Sequence, residues 1–158
     1  MIYVDIDGVC RDLAGTVFKE EPATWDQKNE DGLTAVDVIN QNLTHLISAK
    51  SMEYLVVANA FFDKIHFLSA QPERWRPYTD AWLSVRVVPE YETIYVDHAI
   101  DKLDYLEEGD LLIDDSPVFG DYRNIALVDR AYNRQIDAPL RIKSAFEFIK
   151  VVKNHGNV

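Results

Sequence analysis

An apolar run ends in two carboxylates and a glycine: Met1-Ile-Tyr-Val-Asp5-Ile-Asp7-Gly8. A strand that stops at paired acids and a glycine turn puts those acids at the carboxyl edge of a sheet. That edge is where α/β proteins keep their ligands. A second acidic pair, Asp114-Asp115, closes another apolar run, Leu111-Leu112-Ile113. Like charges a few ångströms apart repel, so a site built from these four residues calls for a cation, a proton, or both.

The bulk numbers narrow the function classes. The 158 residues suffice for one domain with a core. The formal charge of −11 argues against binding a nucleic-acid polymer, which needs a basic face. A small phosphorylated ligand stays possible, because a bound divalent metal reverses the local sign. The single cysteine, Cys10, allows no intrachain disulfide and suits a reducing compartment. No signal-peptide pattern is visible, and the longest apolar run, Tyr54 to Phe62, is far below the roughly 20 residues that cross a bilayer. A cytoplasmic protein without a membrane partner is expected. The sequence leaves the oligomeric state open.

Strand-like segments alternate with helix-like ones. Residues 2–6, 65–68, 87–88, 93–96, 111–113 and 125–128 read as strands. Residues 9–20 have near-helical spacing at Val9, Leu13, Val17 and Phe18. Helices are also expected from Thr34 (Val36, Ile39, Leu43, Leu46 and Ile47 on one side), over 52–62, over 73–86, over 101–106, and over 143–153, with Ala145, Phe146, Ile149 and Val152 inward. This alternation predicts a three-layer Rossmann-like parallel sheet covered on both faces. About 55 residues separate the first two strong strands, roughly twice what a plain crossover needs. The excess, about residues 15–50, reads as a small helical cap inserted into a single domain spanning 1–158.

In such a sheet the strand ends gather Asp5, Asp7, Ser69, Asp114 and Asp115, with Lys102 between the last two strands. Carboxylates, a hydroxyl and an ammonium suit phosphoryl transfer. Magnesium takes hard oxygen ligands. A carboxylate can attack phosphorus, and a hydroxyl and a lysine can hold the remaining phosphate oxygens.

Taken in order, Asp5-Ile-Asp7-Gly8-Val9, Leu68-Ser69, Lys102 and Ile113-Asp114-Asp115 resemble the four motifs of the haloacid dehalogenase superfamily. Within it the chain resembles the 5′(3′)-deoxyribonucleotidases. The matching pieces are Asp5 to Leu13, Ser69-Ala70-Gln71-Pro72 with Tyr78 and Trp82-Leu83, Asp110 to Pro117, and Leu127 to Asn133. The resemblance implies a magnesium-dependent phosphomonoesterase acting on nucleoside monophosphates. Asp5 would be the nucleophile and form an aspartyl-phosphate. Asp7 would protonate the leaving oxygen, activate water, and lend its backbone carbonyl to magnesium. Ser69, with its neighbour Ala70, would bind phosphate, and Lys102 would neutralise phosphate and Asp5. Asp114 and Asp115 would complete the metal site, one directly and one from behind. Superfamily members that keep a long-lived aspartyl-phosphate tend to have threonine at the position of Asp7, so aspartate implies turnover. The motif-two residue is serine where these nucleotidases often have threonine, and the inserted segment is short.

Arg11 follows the catalytic turn and is a candidate phosphate ligand. Phe18 and Trp25, in the insertion, are candidates to stack on a base. Cys10 reads as a small buried filler. The four histidines have no metal-ligand spacing. Arg130, Arg134, Arg141, Lys143, Lys150 and Lys153 read as a solvated basic face. Two rivals stand beside the nucleotidase reading: a phosphatase of a phosphosugar or other small phosphoester, and a metal- or phosphate-binding regulatory module without turnover.

Overall fold

The computed structural model describes residues 1–155; the last three positions of the expected domain lie outside them. Six strands form one wholly parallel sheet: β1 (Ile2–Val4), β4 (Ile65–Ala70), β5 (Thr93–Val96), β6 (Leu111–Asp114), β7 (Ile125–Val128) and β8 (Leu140–Ile142), in the order β5-β4-β1-β6-β7-β8. The short β2 (Arg11–Asp12) and β3 (Lys50–Ser51) pair antiparallel in a separate ribbon. The expected three-layer α/β architecture is therefore present.

Strand β1 lies at the centre with a strand on each flank, its Ile2 and Val4 face buried and Tyr3 on the other face half-buried. Ile2, Val4 and Ile6 are at most 2% exposed. Val4 pairs with Phe67 on one flank and Ile113 on the other. The chain runs outward from β1 through β4 to β5 in one direction and through β6 to β8 in the other. The carboxyl end of β1 is therefore the topological switch point, the place where such sheets open a crevice.

The helices follow local chemistry. Helix α1 (Ala35–Gln41) starts at Thr34, whose hydroxyl accepts from Asp37 N while Asp37 reaches back to Thr34 N, a reciprocal cap. The expected continuation past residue 41 breaks at Asn42. Its backbone turns extended and its side chain accepts from Thr44, so α2 (His45–Ser48) is a separate turn. Ile39 and Leu46 are buried, whereas Val36 and Ile47 of the expected stripe are exposed. Helix α3 (Glu53–Ala60) lies within its expected span. Helix α4 (Arg76–Ser84) follows a 3-10 turn and has Pro77 in its first turn, where the missing N–H costs nothing. Helix α5 (Ala145–Asn154) is capped by Ser144. Phe148 is its buried ring; Phe146 is exposed under the Lys150 ammonium.

Three other expectations are corrected. Residues 9–20 form no α-helix, because the backbone doubles back at Gly8. Ile6 O accepts from both Cys10 N and Arg11 N, which sends the chain into β2 and a 3-10 turn at Ala14–Thr16. Val87 and Val88 follow α4 as irregular chain rather than a strand. Strand β8 was not expected, since Leu140-Arg141-Ile142 is too short and mixed to show a period.

Between β2 and β3 the chain carries α1, α2 and a long loop. This segment has a small core of its own, Ile39 and Leu46 against Trp75, joined by Leu13, Val17 and Leu43. Trp75 Nε1 donates to Asn40 Oδ1 at 2.8 Å, and Trp82 Nε1 donates to Ala49 O at 2.8 Å. The segment is thereby seated beside the carboxyl end of β4.

Candidate active site

The strand ends converge as the topology requires. Asp5 follows β1 directly, and its carboxylate accepts from Ile6 N at 2.8 Å through Oδ1. Lys102, on a 3-10 helix at Ala99–Tyr105, places Nζ 3.0 Å from Asp5 Oδ2 and 2.6 Å from Asp114 Oδ2. Lys102 is 1% exposed, so this is a buried ion triad and not a surface pair. The other Asp114 oxygen accepts from Ser116 N at 2.7 Å, so both Asp114 oxygens are occupied.

Asp115 is arranged differently. Its Oδ2 accepts from the Tyr132 hydroxyl, while its Oδ1 is buried with no hydrogen-bond partner. A buried carboxylate oxygen without a donor is costly. One oxygen each from Asp5, Asp114 and Asp115 lies within 4.8 Å of the others. Three carboxylates thus face one ammonium. Burial, together with Asp114 and Asp7, pushes the Asp5 carboxyl up to about 7 despite Lys102. Burial and the charges of Asp114 and Asp5 hold Asp115 well above the usual carboxylate range. Lys102 is held above its ordinary value: burial alone would lower it, but the two carboxylates outweigh burial. Such a cluster lacks positive charge, and hard oxygens of this kind fit a small divalent cation such as magnesium.

Gly8 is required by the same geometry. Its φ is +81°, and a Cβ there would lie 1.9 Å from Asp115 Oδ2. No side chain fits between the Gly8 turn and that carboxylate.

Asp7 is held away from the cluster. Arg11 Nε donates to Oδ1 at 2.6 Å and Arg11 Nη2 to Oδ2 at 3.0 Å, and Gln71 Nε2 donates to Oδ2 at 2.7 Å. Arg11 is wholly buried; Nη1 donates to Leu46 O and Nη2 also to Thr79 Oγ1. The candidate phosphate ligand Arg11 is therefore committed to Asp7 and to the protein interior. Ser69 is buried, and its Oγ accepts from Gln71 Nε2 at 3.3 Å. Its neighbour Ala70 lines the cavity.

Above this floor lies a cavity of about 380 Å³. Asp5, Asp7, Lys102 and Asp115 are at its base. Phe18, Trp25, Val36, Trp75 and Tyr132 form much of its wall. Both sequence-predicted aromatics, Phe18 and Trp25, are thus on the cavity. Trp25 sits edge-on to Tyr132, with ring centroids 5.1 Å apart.

Several participants go beyond the site residues expected from the sequence. Gln71 follows Ser69 by two residues and so shares its face of the extended chain, a signal that was available. Tyr132 lies in the matching piece Leu127 to Asn133, but no spacing marks it for a role. Arg130 and Arg141 are corrected from the solvated basic face. Arg130 Nε donates to Gly8 O at 2.8 Å, and Arg141 donates to Asp129, Asn133 and Ile136 O.

No family model and no curated protein sequence matches the chain. Solved structures do. A protein from Thermotoga maritima described as "putative beta-phosphoglucomutase" superposes with a TM-score of 0.60 at 14% identity, covering 97% of this chain and 98% of its own. A HAD family hydrolase from Deinococcus radiodurans R1, with bound phosphate and sodium, gives 0.56 at 13% identity, covering 98% and 95%. The chain shares the fold of these two proteins. At these identities the likeness speaks for the fold, and the chemistry has to come from the side chains. Among the described residues no helix is long and apolar enough to cross a membrane.

Proposed function

We propose that the protein is a magnesium-dependent phosphomonoesterase that works through an aspartyl-phosphate on Asp5 and acts on nucleoside monophosphates, deoxyribonucleotides included. The observation that carries this reading is the Asp5 carboxylate, fixed between Lys102 Nζ and Ile6 N at the base of an aromatic-walled cavity. The Deinococcus radiodurans structure, which holds phosphate and sodium on the same fold, supports a small phosphorylated ligand.

Asp5 and Asp115 would hold the metal with the backbone carbonyl of Asp7. The orphaned Asp115 Oδ1 supports Asp115 as the direct ligand of the acidic pair. Asp114, spoken for by Lys102 and Ser116 N, stands behind it. When bound, magnesium supplies positive charge to the phosphoryl oxygens.

An Asp5 carboxylate oxygen attacks phosphorus, and the bond to the leaving oxygen breaks. Asp7 gives that oxygen its proton. Lys102 and Ser69 hold the phosphoryl group. Water then attacks the same phosphorus, passes a proton to Asp7, and displaces the Asp5 carboxylate. The segment at about 15–50 acts as a small cap that keeps bulk water from the phosphoester.

The wall favours a base over a sugar. Phe18, Trp25, Trp75 and Tyr132 offer rings, whereas a phosphosugar asks for many polar partners. The second reading, a phosphosugar phosphatase, draws on the description of the Thermotoga maritima protein. A matched panel of nucleoside monophosphates and sugar phosphates, run with magnesium and after chelation, tests both. Nucleotides should exceed ribose 5-phosphate at least tenfold in kcat/KM, since stacking one base contributes about 1–3 kcal/mol. Activity that survives thorough chelation would end the metal reading, and faster hydrolysis of sugar phosphates would end the nucleotidase reading.

A further inference from the structure

The turn after β7, residues 130–133, carries none of the four motifs, yet it grips the site floor from three directions. Arg130 donates to the carbonyl of Gly8. Asn133 Nδ2 donates to Asp115 O at 2.8 Å and to Val128 O at 2.8 Å. Asn133 is itself fixed, because its Oδ1 accepts from Arg130 N at 3.0 Å and Arg141 Nη1 at 2.9 Å. The Tyr132 hydroxyl donates to Asp115 Oδ2. On its outer side the turn meets the inserted loop: Ala131 N donates to Glu21 Oε2 at 3.2 Å, and the Tyr132 ring meets Trp25.

The Asp115 carboxylate is therefore wedged. On one side stands Gly8, with no room for a single carbon, and on the other the Tyr132 hydroxyl. A carboxylate pinned through one oxygen cannot rotate freely, and its second oxygen acquires a fixed direction. We propose that Tyr132 is a positioning residue for the metal centre. It pins Asp115 Oδ2 so that Oδ1 is presented to the cation. This rests on reading the acidic cluster as a magnesium site. Partners of this kind, which orient a ligand without touching the metal, set affinity as strongly as some ligands do.

The test is isothermal titration of the full chain with magnesium alone. Tyr132→Phe keeps the ring against Trp25 and removes one hydroxyl. It should weaken magnesium binding by about 10–100-fold, the usual range for losing such a partner. The magnesium concentration that gives half the metal-induced rise in melting temperature should increase in parallel, a second readout on the same folded protein. Arg134→Ala is the control for general loosening of the turn. Its side chain is 63% exposed and bonds only Asp129 among the described residues, so it should titrate as the wild type does. Equal magnesium affinity in the wild type and Tyr132→Phe overturns the inference while leaving the phosphatase reading intact. Absence of magnesium binding in the wild type overturns both.

Discussion

The base and the wall of the cavity are built from different materials. Lys102 and Asp115 at the base are 1% exposed, and the base is crossed by charge-assisted hydrogen bonds. Trp25 on the wall is 60% exposed and is held by a ring edge. A buried polar group has few geometries in which all its partners are satisfied, so the base tolerates little change. An exposed ring contributes area without demanding a partner. On the proposed reading the chemistry belongs to the base and substrate choice to the Phe18 and Trp25 part of the wall, and each assignment can be broken separately.

The largest effect should come from Asp5→Asn. The amide is nearly isosteric, carries no charge and is a poor nucleophile. Turnover of every phosphoester should fall below detection while the far-ultraviolet circular dichroism stays native. Relief of like-charge crowding should leave the melting temperature equal or higher. Near-normal turnover in this variant would rule out covalent catalysis.

Next comes Asp7→Asn, expected to slow hydrolysis of a nucleotide by about 100-fold or more. The defect should shrink with a nitrophenyl ester, whose leaving group needs no proton. Equal loss on both substrates removes the acid role. Unlike Asp5→Asn, this change should also destabilise the fold, because it strips the carboxylate from the buried Arg11. Breaking a buried ion pair costs about 3–5 kcal/mol, and the 21% exposure of the Asp7 side chain sets the expectation at the low end. Denaturant melts of the two variants, run side by side, read that difference in sign.

Gly8→Ala should disturb the base without removing any catalytic group. The positive φ costs about 1–2 kcal/mol for a residue with a Cβ, and the collision with Asp115 adds to it. Weaker magnesium binding and a lower melting temperature should appear together. An unchanged melting temperature would show that the turn yields more easily than its geometry implies.

The smallest effect belongs to the wall. Trp25→Ala or Phe18→Ala should erase much of the roughly tenfold preference for nucleotides over sugar phosphates expected from one stacked ring. A generic aryl phosphate should be hydrolysed nearly as before. If both substrate classes slow together, the wall serves the chemistry too, and the division between base and wall fails.

The base was more legible in the sequence than the wall's supports. Asp5, Asp7, Ser69 and the pair Asp114-Asp115 all terminate apolar runs, and a parallel sheet has only one edge at which to collect them. Local pattern therefore carried long-range information. Arg11 shows where this stops. Its direction is set by Leu46 O and Thr79, which are 35 and 68 residues away in the chain. Nothing in Cys10-Arg11-Asp12 foretells them. Tyr132 is obscure for the same reason: it lies in the turn after β7, and its partner Asp115 follows β6, 17 residues earlier. The helix expected over 9–20 failed because spacing alone ignored Gly8, whose left-handed backbone reverses the chain.

The pairing of Arg11 with Asp7 has a consequence for descent. A lineage in which this chemistry is no longer needed would ordinarily be free to let Asp7 drift. Here the drift is opposed, because any substitution that removes the carboxylate at position 7 takes the ion-pair partner from a guanidinium that is 0% exposed. Position 7 can be released only after position 11 has changed to something neutral, and that first step brings no gain of its own. The carboxylate at position 7 is thus favoured by architecture whatever its use, and a descendant without turnover would keep the same appearance.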